Sequence, residues 1–97
     1  MAQVVITAGT PATVSQGTTI NVSAPALLTG ETHAIVVASN QQSVACSVAG
    51  YELDSASDVD AYQNRLRRFI RSGPESAATV QVVFNSAVTA TAMPYKA

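Results

Sequence analysis

The sequence predicts an α+β fold, with a mainly antiparallel β-sheet or small β-sandwich and one amphipathic α-helix over about residues 57–72. Short runs rich in β-branched residues lie before and after 57–72, and apolar residues at helical spacing lie within it. A chain of 97 residues buries only about two-thirds of its unfolded surface, which is enough for a single core. We therefore expect one domain over residues 1–97.

Residues 57–72 carry the spacing and the end signals of a helix. Their apolar residues fall three and four positions apart, which places them on one helical face: Val59, Tyr62, Leu66, Phe69 and Ile70. Ser57 is a suitable N-cap, with aspartates near the positive end of the helix dipole and arginines near its negative end. Gly73 and Pro74 then predict the end of the helix.

The rest of the chain is predicted as short strands. Polar and apolar residues alternate from Thr18 to Ala24, which is typical of a strand with one buried face. The apolar run from Ala34 to Ser39 is typical of a strand covered on both faces. The predicted strands span residues 3–8, 18–24, 34–39, 43–49, 79–84 and 88–92.

Polar residues and prolines predict the connections between these strands. Residues 40–42 form a predicted hairpin loop between strands 34–39 and 43–49. Asn85 and Ser86 are predicted to turn the chain back, so that 79–84 and 88–92 also form a hairpin. Pro94 is predicted to end the last strand.

Charged residues are scarce, at 11% of the chain against about 25% in an ordinary domain. All of them except Glu31 and Lys96 lie between Glu52 and Glu75, so the predicted strands contain no lysine or arginine to guard an exposed edge. Either the edges are closed within a sandwich or barrel, or other subunits cover them. A core rich in Ala and Val, without tryptophan, favours stabilisation by neighbouring chains.

No catalytic, cofactor or metal site is predicted. Cys46 and His33 do not form a dyad in either hairpin register, so Cys46 is interpreted as a small buried side chain, with a reactive thiol as the alternative. His33 is interpreted as a histidine at a loop edge, with a ligand or pH-sensing role as the alternative. The acidic residues are interpreted as helix caps and solubilising groups, with a weak calcium or magnesium site as the alternative: Glu52, Asp54, Asp58 and Asp60.

Four arginines form the only charge cluster, and they are the candidate partner-binding residues: Arg65, Arg67, Arg68 and Arg71. Guanidinium groups bind carboxylates and phosphates bidentately, which would suit a protein partner. The alternative is a solvated helix face paired with Glu52, Asp54 or Glu75. We expect no nucleic-acid partner, because neither lysines nor stacking aromatic residues accompany the arginines.

The Thr/Ser/Ala/Val-rich segments 17–23 and 86–92, together with the small size, resemble small virion proteins of tailed bacteriophages, especially capsid decoration or cement proteins. This resemblance implies a β-rich, often trimeric protein that sits on major-capsid joints and braces the shell. We therefore expect a non-enzymatic homo-oligomer, bound to major capsid or another virion protein on the capsid surface. It would be made in the host cytoplasm without a signal peptide and without a membrane partner.

Three other functions are consistent with the sequence. An Ig-like adhesion or phage tail module would bind a glycan through polar loops and tyrosines. A small enzyme or redox protein would act through Cys46, and a small nucleic-acid-binding protein would use the predicted arginine helix.

Overall fold

The computed structural model describes residues 5–41, 43–55, 58–61 and 64–97, and these residues form β-strands joined by turns and loops. The strands are β1 (Thr7–Ala8), β2 (Ala12–Ala24), β3 (Thr32–Ser39), β4 (Cys46–Val48), β5 (Glu52–Leu53), β6 (Val59–Ala61), β7 (Asn64–Ser72) and β8 (Ala78–Lys96). No helix in this described part of the chain is long and apolar enough to cross a bilayer.

All of these strands pair antiparallel within one sheet that is organised around β8. Lys96 is the register partner of both Thr7 and His33, so β1 and β3 lie on opposite sides of β8. Val82 is likewise flanked by Ile20 of β2 and by β4. β3 also pairs with β7, and the far side of β7 pairs with β5 and β6.

The sheet bends strongly, because β8 is too long to be straight. Its 19 residues would extend about 60 Å, whereas the longest dimension of the molecule is 40 Å. The register of β2 along β8 also shifts between Val14 and Thr19. The curved sheet therefore folds its two halves around a shared core.

One face of the sheet supplies the core, as the period of two along each strand requires. Alternate residues of β8 are buried from Val82 to Pro94, with an interruption near Ser86. The same face of β8 therefore points into the core on both sides of the bend. The core cluster consists of Ile20, Val22, Ile35, Val37, Val48, Tyr51, Phe69, Val82, Phe84, Val88, Ala90 and Ala92.

The prediction of a helix over residues 57–72 is wrong, and with it the α+β class. The described residues in this range form β6 and β7, and the described chain contains no α-helix; Ser57, Tyr62 and Gln63 lie outside the described residues. The predicted apolar helix face does not exist, because Leu66 is 41% exposed and Phe69 is 2% exposed on opposite faces of β7. The protein is an antiparallel all-β fold.

The pairing needs of β3 explain why β7 is a strand. β3 is buried along one face, and buried backbone N–H and C=O groups must find hydrogen-bond partners. β7 supplies them in unbroken register from Thr32↔Ser72 to Ser39↔Arg65. A helix over the same residues would leave that edge of β3 unpaired, so tertiary pairing overrides the local helix signals.

Both predicted hairpins are also wrong. β4 pairs with β8 instead of β3, because β7 and β8 already occupy both edges of β3. Asn85 does not begin a turn; its amide donates to the carbonyl of Ala45, and its side-chain Oδ1 accepts from the Ala45 amide, both at 3.1 Å. Asn85, which suggested a turn, thus connects β8 to the residue that precedes β4, and β8 continues past Asn85 as a strand.

The prediction that Pro94 ends the last strand is wrong, because β8 continues to Lys96. The carbonyl of Pro94 accepts a hydrogen bond from the Gly9 amide at 2.8 Å, so its backbone nitrogen faces the same side of β8. There β8 meets the break between β1 and β2, so the missing N–H of proline removes no ladder hydrogen bond.

The expectation of one domain over residues 1–97 stays a prediction.

We predict that Gly9→Ala lowers the free energy of unfolding by about 1–3 kcal/mol. A Cβ at Gly9 would lie 2.9 Å from Cγ of Pro94, so the contact between the β1 segment and β8 would have to open. Urea denaturation measures this change. The exposed neighbour Thr10 provides the control, since Thr10→Ala should change stability by less than about 0.5 kcal/mol; equal effects of the two substitutions would contradict the close contact.

Candidate functional site

The strand β7 places the candidate arginines on both faces of the sheet. Arg67 and Arg71 flank Phe69 on the inner face, where Arg67 is only 2% exposed. Arg68 lies on the outer face with its side chain 44% exposed. Arg65 lies near the start of β7, with its side chain 24% exposed. The structure therefore does not gather the four guanidinium groups into one surface, and their role in partner binding stays a prediction.

Two of these arginines form ion pairs with residues that precede β6 and β7. Arg65 binds both carboxylate oxygens of Asp58, at 2.8 and 2.6 Å, and this hydrogen bonding lowers the pKa of Asp58. Arg68 pairs with Asp54. The aspartates thus act as ion-pair partners across the sheet edge, and no cluster of three potential metal-ligating side chains occurs among residues 5–41, 43–55, 58–61 and 64–97.

The guanidinium of Arg67 lies inside the protein. Its Nη2 donates to the carbonyl of Val44 at 2.5 Å, whereas Nη1 is buried without a hydrogen-bond partner among the described residues. Burial raises the pKa of the nearby Cys46 thiol, and the positive Arg67 only partly opposes this effect. Cys46 is therefore protonated at neutral pH, which makes it a poor nucleophile.

Arg71 belongs to a second buried polar group, together with His33 and Tyr51. Nδ1 of His33 and the Tyr51 hydroxyl are 2.5 Å apart in a hydrogen bond, and the rings meet edge to face with centroids 5.8 Å apart. The Arg71 guanidinium carbon lies 4.8 Å from the centroid of the Tyr51 ring, a cation–π contact. Nε and Nη2 of Arg71 are buried without hydrogen-bond partners among the described residues.

Burial decides the protonation states in this group. It lowers the pKa of His33, with the positive charge of Arg71 acting in the same direction. It also raises the pKa of Tyr51, an effect that Glu75 reinforces and Arg71 opposes. At neutral pH a neutral imidazole and a neutral phenol therefore surround a charged guanidinium. His33 is 1% exposed, so this arrangement supports packing and offers no open position for a substrate.

Sequence interpretation placed His33 at a loop edge, but it lies within β3 and faces the core. The available signal was the period-two alternation His33, Ile35, Val37, all of which are buried. His33 is the register partner of Arg71, as Val37 is of Arg67. Because the helix prediction removed β7 from the sheet, these neighbours could not be found from the sequence.

The outer face of the sheet is the second candidate site. Three rows of residues cross it from β7 through β3 to β8, and together they define the outer face: Ile70, Ala34 and Tyr95; Arg68, Val36 and Met93; Leu66, Ala38 and Thr91. These residues are half-buried or exposed, and Leu66 is 41% exposed. Grooves of about 460 and 510 Å³ lie at its two ends.

Comparisons with protein-family models, with curated proteins and with solved structures find no match to this chain.

Tyr51→Phe should lower the free energy of unfolding by about 1–3 kcal/mol, because it leaves Nδ1 of the buried His33 without its hydrogen-bond partner. Chemical denaturation at pH 7 measures the loss. Tyr95→Phe removes the same atom from a half-buried tyrosine on the outer face and should cost less than about 0.5 kcal/mol. If both substitutions cost the same, the hydrogen bond between His33 and Tyr51 contributes no special stability.

Stability should fall as the pH is lowered from 7 to 5.5. The unfolded chain takes up a proton at His33 near pH 6.5, whereas the folded chain takes it up only at lower pH, because its His33 pKa is lowered. The slope can reach about 1.4 kcal/mol per pH unit. His33 is the only histidine, and it faces Tyr51 and Arg71, with Lys96 as its register partner in β8.

Urea titrations at several pH values measure this slope. His33→Gln should be less stable than the native protein but should show a flat profile over the same pH range, since carboxyl groups titrate mainly below pH 5. An unchanged slope in His33→Gln would contradict the assignment to His33.

Proposed function

We propose that this chain is a non-enzymatic structural protein that self-associates and binds a protein lattice, as a capsid decoration or cement protein of a tailed bacteriophage. In this role it sits on the capsid surface with the major capsid protein as its partner. The outer face of the sheet is the observation that supports the proposal. The resemblance to virion proteins supplies the identity of the lattice and implies a trimer.

The composition of the outer face favours a protein partner. In an antiparallel sheet with one face in the core, the opposite face is usually polar. Here it carries Val36, Leu66, Ile70 and Met93, with Arg68 as its only charged member. A continuous apolar surface of this kind is typical of a protein interaction site. The 65% exposed Ile6, which borders one of its grooves, extends the same surface.

The placement of the polar groups supports a binding role over catalysis. Among the described residues, the groups with shifted pKa values are either buried, as His33 and Tyr51 are, or ion-paired, as Asp58 and Glu31 are. Cys46 is held in its protonated form by burial. None of these arrangements combines an activated nucleophile with a base within hydrogen-bond reach.

The rival functions gain no specific support. Nucleic-acid binding would need several exposed cationic groups, but Arg67 and Arg71 point inward, and Arg65 and Arg68 bind aspartates. A glycan-binding platform would need exposed aromatic rings, and Tyr51 is buried.

We predict that Leu66→Asp abolishes binding to capsid shells, because it places a negative charge on the most exposed apolar side chain of the outer face, beside one of its two grooves. The probe is a preparation of shells assembled from the major capsid protein of the bacteriophage that carries this gene, and co-sedimentation measures binding. Val83→Asp is the matched control, since Val83 is 42% exposed and lies on β8 away from the outer face. It should bind like the native protein.

Circular dichroism and urea unfolding check that both variants fold. Failure of the native protein to bind the shells would contradict the lattice role. Equal loss of binding in Leu66→Asp and Val83→Asp would contradict the assignment of the contact to the outer face.

A further inference from the structure

β2 has one edge that no other described strand occupies. Along its other edge it pairs only with β8, and from Thr19 to Ala24 this pairing runs without a register shift. An unpaired strand edge presents backbone N–H and C=O groups that can bind another strand. The hydrogen bonds of β8 determine which residues of β2 present them.

The odd-numbered residues of β8 direct their backbone groups toward β3 and β4. Ala97, just beyond β8, exchanges both backbone hydrogen bonds with Thr32 at 2.8 Å, and the Asn85 amide donates to the Ala45 carbonyl at 3.1 Å. Successive residues of a strand point to alternate sides, so the even-numbered residues of β8 face β1 and β2. The carbonyl of Pro94, which accepts from the β1 side, agrees with this assignment.

The same alternation fixes the orientation of β2. Ile20 and Val22 are the register partners of Val82 and Val80, so their backbone groups form the ladder with β8. The intervening residues direct both N–H and C=O to the free edge, and their side chains are exposed: Thr19, Asn21 and Ser23. The free edge is defined by these three residues.

This free edge lacks the usual protection against strand addition. β2 contains no charged residue and no proline. Its irregularity lies upstream, where Gln16 has a φ of 51° and the register with β8 shifts between Val14 and Thr19. That irregularity confines regular pairing to the segment 19–24, where inward Ile20 and Val22 are 2% and 1% exposed.

We propose that two copies of this chain pair antiparallel through their free edges, about a two-fold axis at Asn21. Thr19 then lies opposite Ser23 of the partner subunit, and Asn21 lies opposite Asn21 of the partner subunit. Each outward residue exchanges both backbone hydrogen bonds, which joins the two sheets into one. The pairing specifies the self-association within the proposed function and rests on it, and it makes the repeating unit a dimer in place of the implied trimer.

The occupant is a second copy because this edge is self-complementary. The segment brings no like charges together, which is the main obstacle to pairing a strand with itself. Hydroxyl groups of Thr19 and Ser23 meet across the interface. Oδ1 of Asn21 accepts a hydrogen bond from Nε2 of Gln81 at 3.1 Å, which leaves the Asn21 amide N–H groups to donate across the axis. On the inner face, Ile20 of one copy lies opposite Val22 of the partner subunit, so the pairing places no polar side chain on that face at these positions.

Charge reversal at Asn21 tests the pairing. Sedimentation velocity of the native protein at micromolar concentration should show species of at least twice the 10.0 kDa chain mass. Asn21→Lys alone and Asn21→Glu alone should each weaken association by about tenfold or more at low salt, because like charges meet at the axis. An equimolar mixture of the two variants should associate again. Asn21→Ala, which keeps the backbone N–H and adds no charge, should stay associated.

Asn21→Pro tests the backbone contribution directly. It removes an N–H from the free edge and none from the β8 ladder, so association should weaken by at least about tenfold. Urea unfolding checks its fold; if it fails to fold, the charge-reversal pair carries the test.

A native protein that is monomeric throughout the micromolar range overturns both this pairing and the proposed self-association. Association that persists in both charge variants, or a mixture that does not recover, overturns only the pairing through β2. Loss of association in Leu66→Asp with retention in both Asn21 charge variants also overturns it and assigns self-association to the outer face.

Discussion

The double pairing of β3 is the constraint on which the rest of the fold depends. β3 lies between β7 and β8, and its alternate residues His33, Ile35, Val37 and Ser39 are all buried. Because an apolar buried strand must satisfy its backbone on both sides, residues 64–72 become a strand and β4 is displaced to β8. The long β8 then has to bend, since one of its edges pairs with β3 near the C-terminal end and with β4 near the N-terminal end, while β2 follows the other edge through both halves.

This constraint also explains why charged groups lie inside so small a protein. Once β7 pairs with β3, the period of two directs Arg67, Phe69 and Arg71 to the same face. Burying a guanidinium group without an opposite charge is costly, and the observed compensation is a carbonyl for Arg67 and an aromatic ring for Arg71. The neutral His33 avoids adding a second positive charge beside Arg71.

The sequence predicted strands correctly where the local pattern of apolar residues agrees with the strand pairing of the fold. The alternation over 18–24 correctly predicted a strand with one buried face, and Ile20, Val22 and Ala24 lie inward. Prediction from the sequence failed over residues 57–72, because the inner face of β7 holds arginines. The spacing of apolar residues therefore does not identify the buried face of this strand. The exposed Leu66 and half-buried Ile70 then completed a false helical stripe with Phe69.

The same error hid the candidate sites. With β7 treated as a helix, the four arginines formed one patch, and the apolar run of β3 was expected to be covered on both faces. In the structure the run is buried on one face, while its other face forms the centre of an apolar surface flanked by Ile70 and Tyr95. Neither the register of β3 with β7 nor the hydrogen-bond direction of β2 is encoded in local periodicity, since both depend on which distant strands meet.

The outer face and the free edge of β2 can be occupied at the same time, because they act in different directions. Strand addition at Thr19, Asn21 and Ser23 would extend the sheet within its own surface, while a partner on the outer face would bind along the sheet normal. The two surfaces also lie on different parts of the curved sheet, since the free edge flanks the first half of β8 and the outer face includes its second half. Lateral pairing of copies would therefore leave each outer face available, which is the geometry that a protein covering a lattice requires.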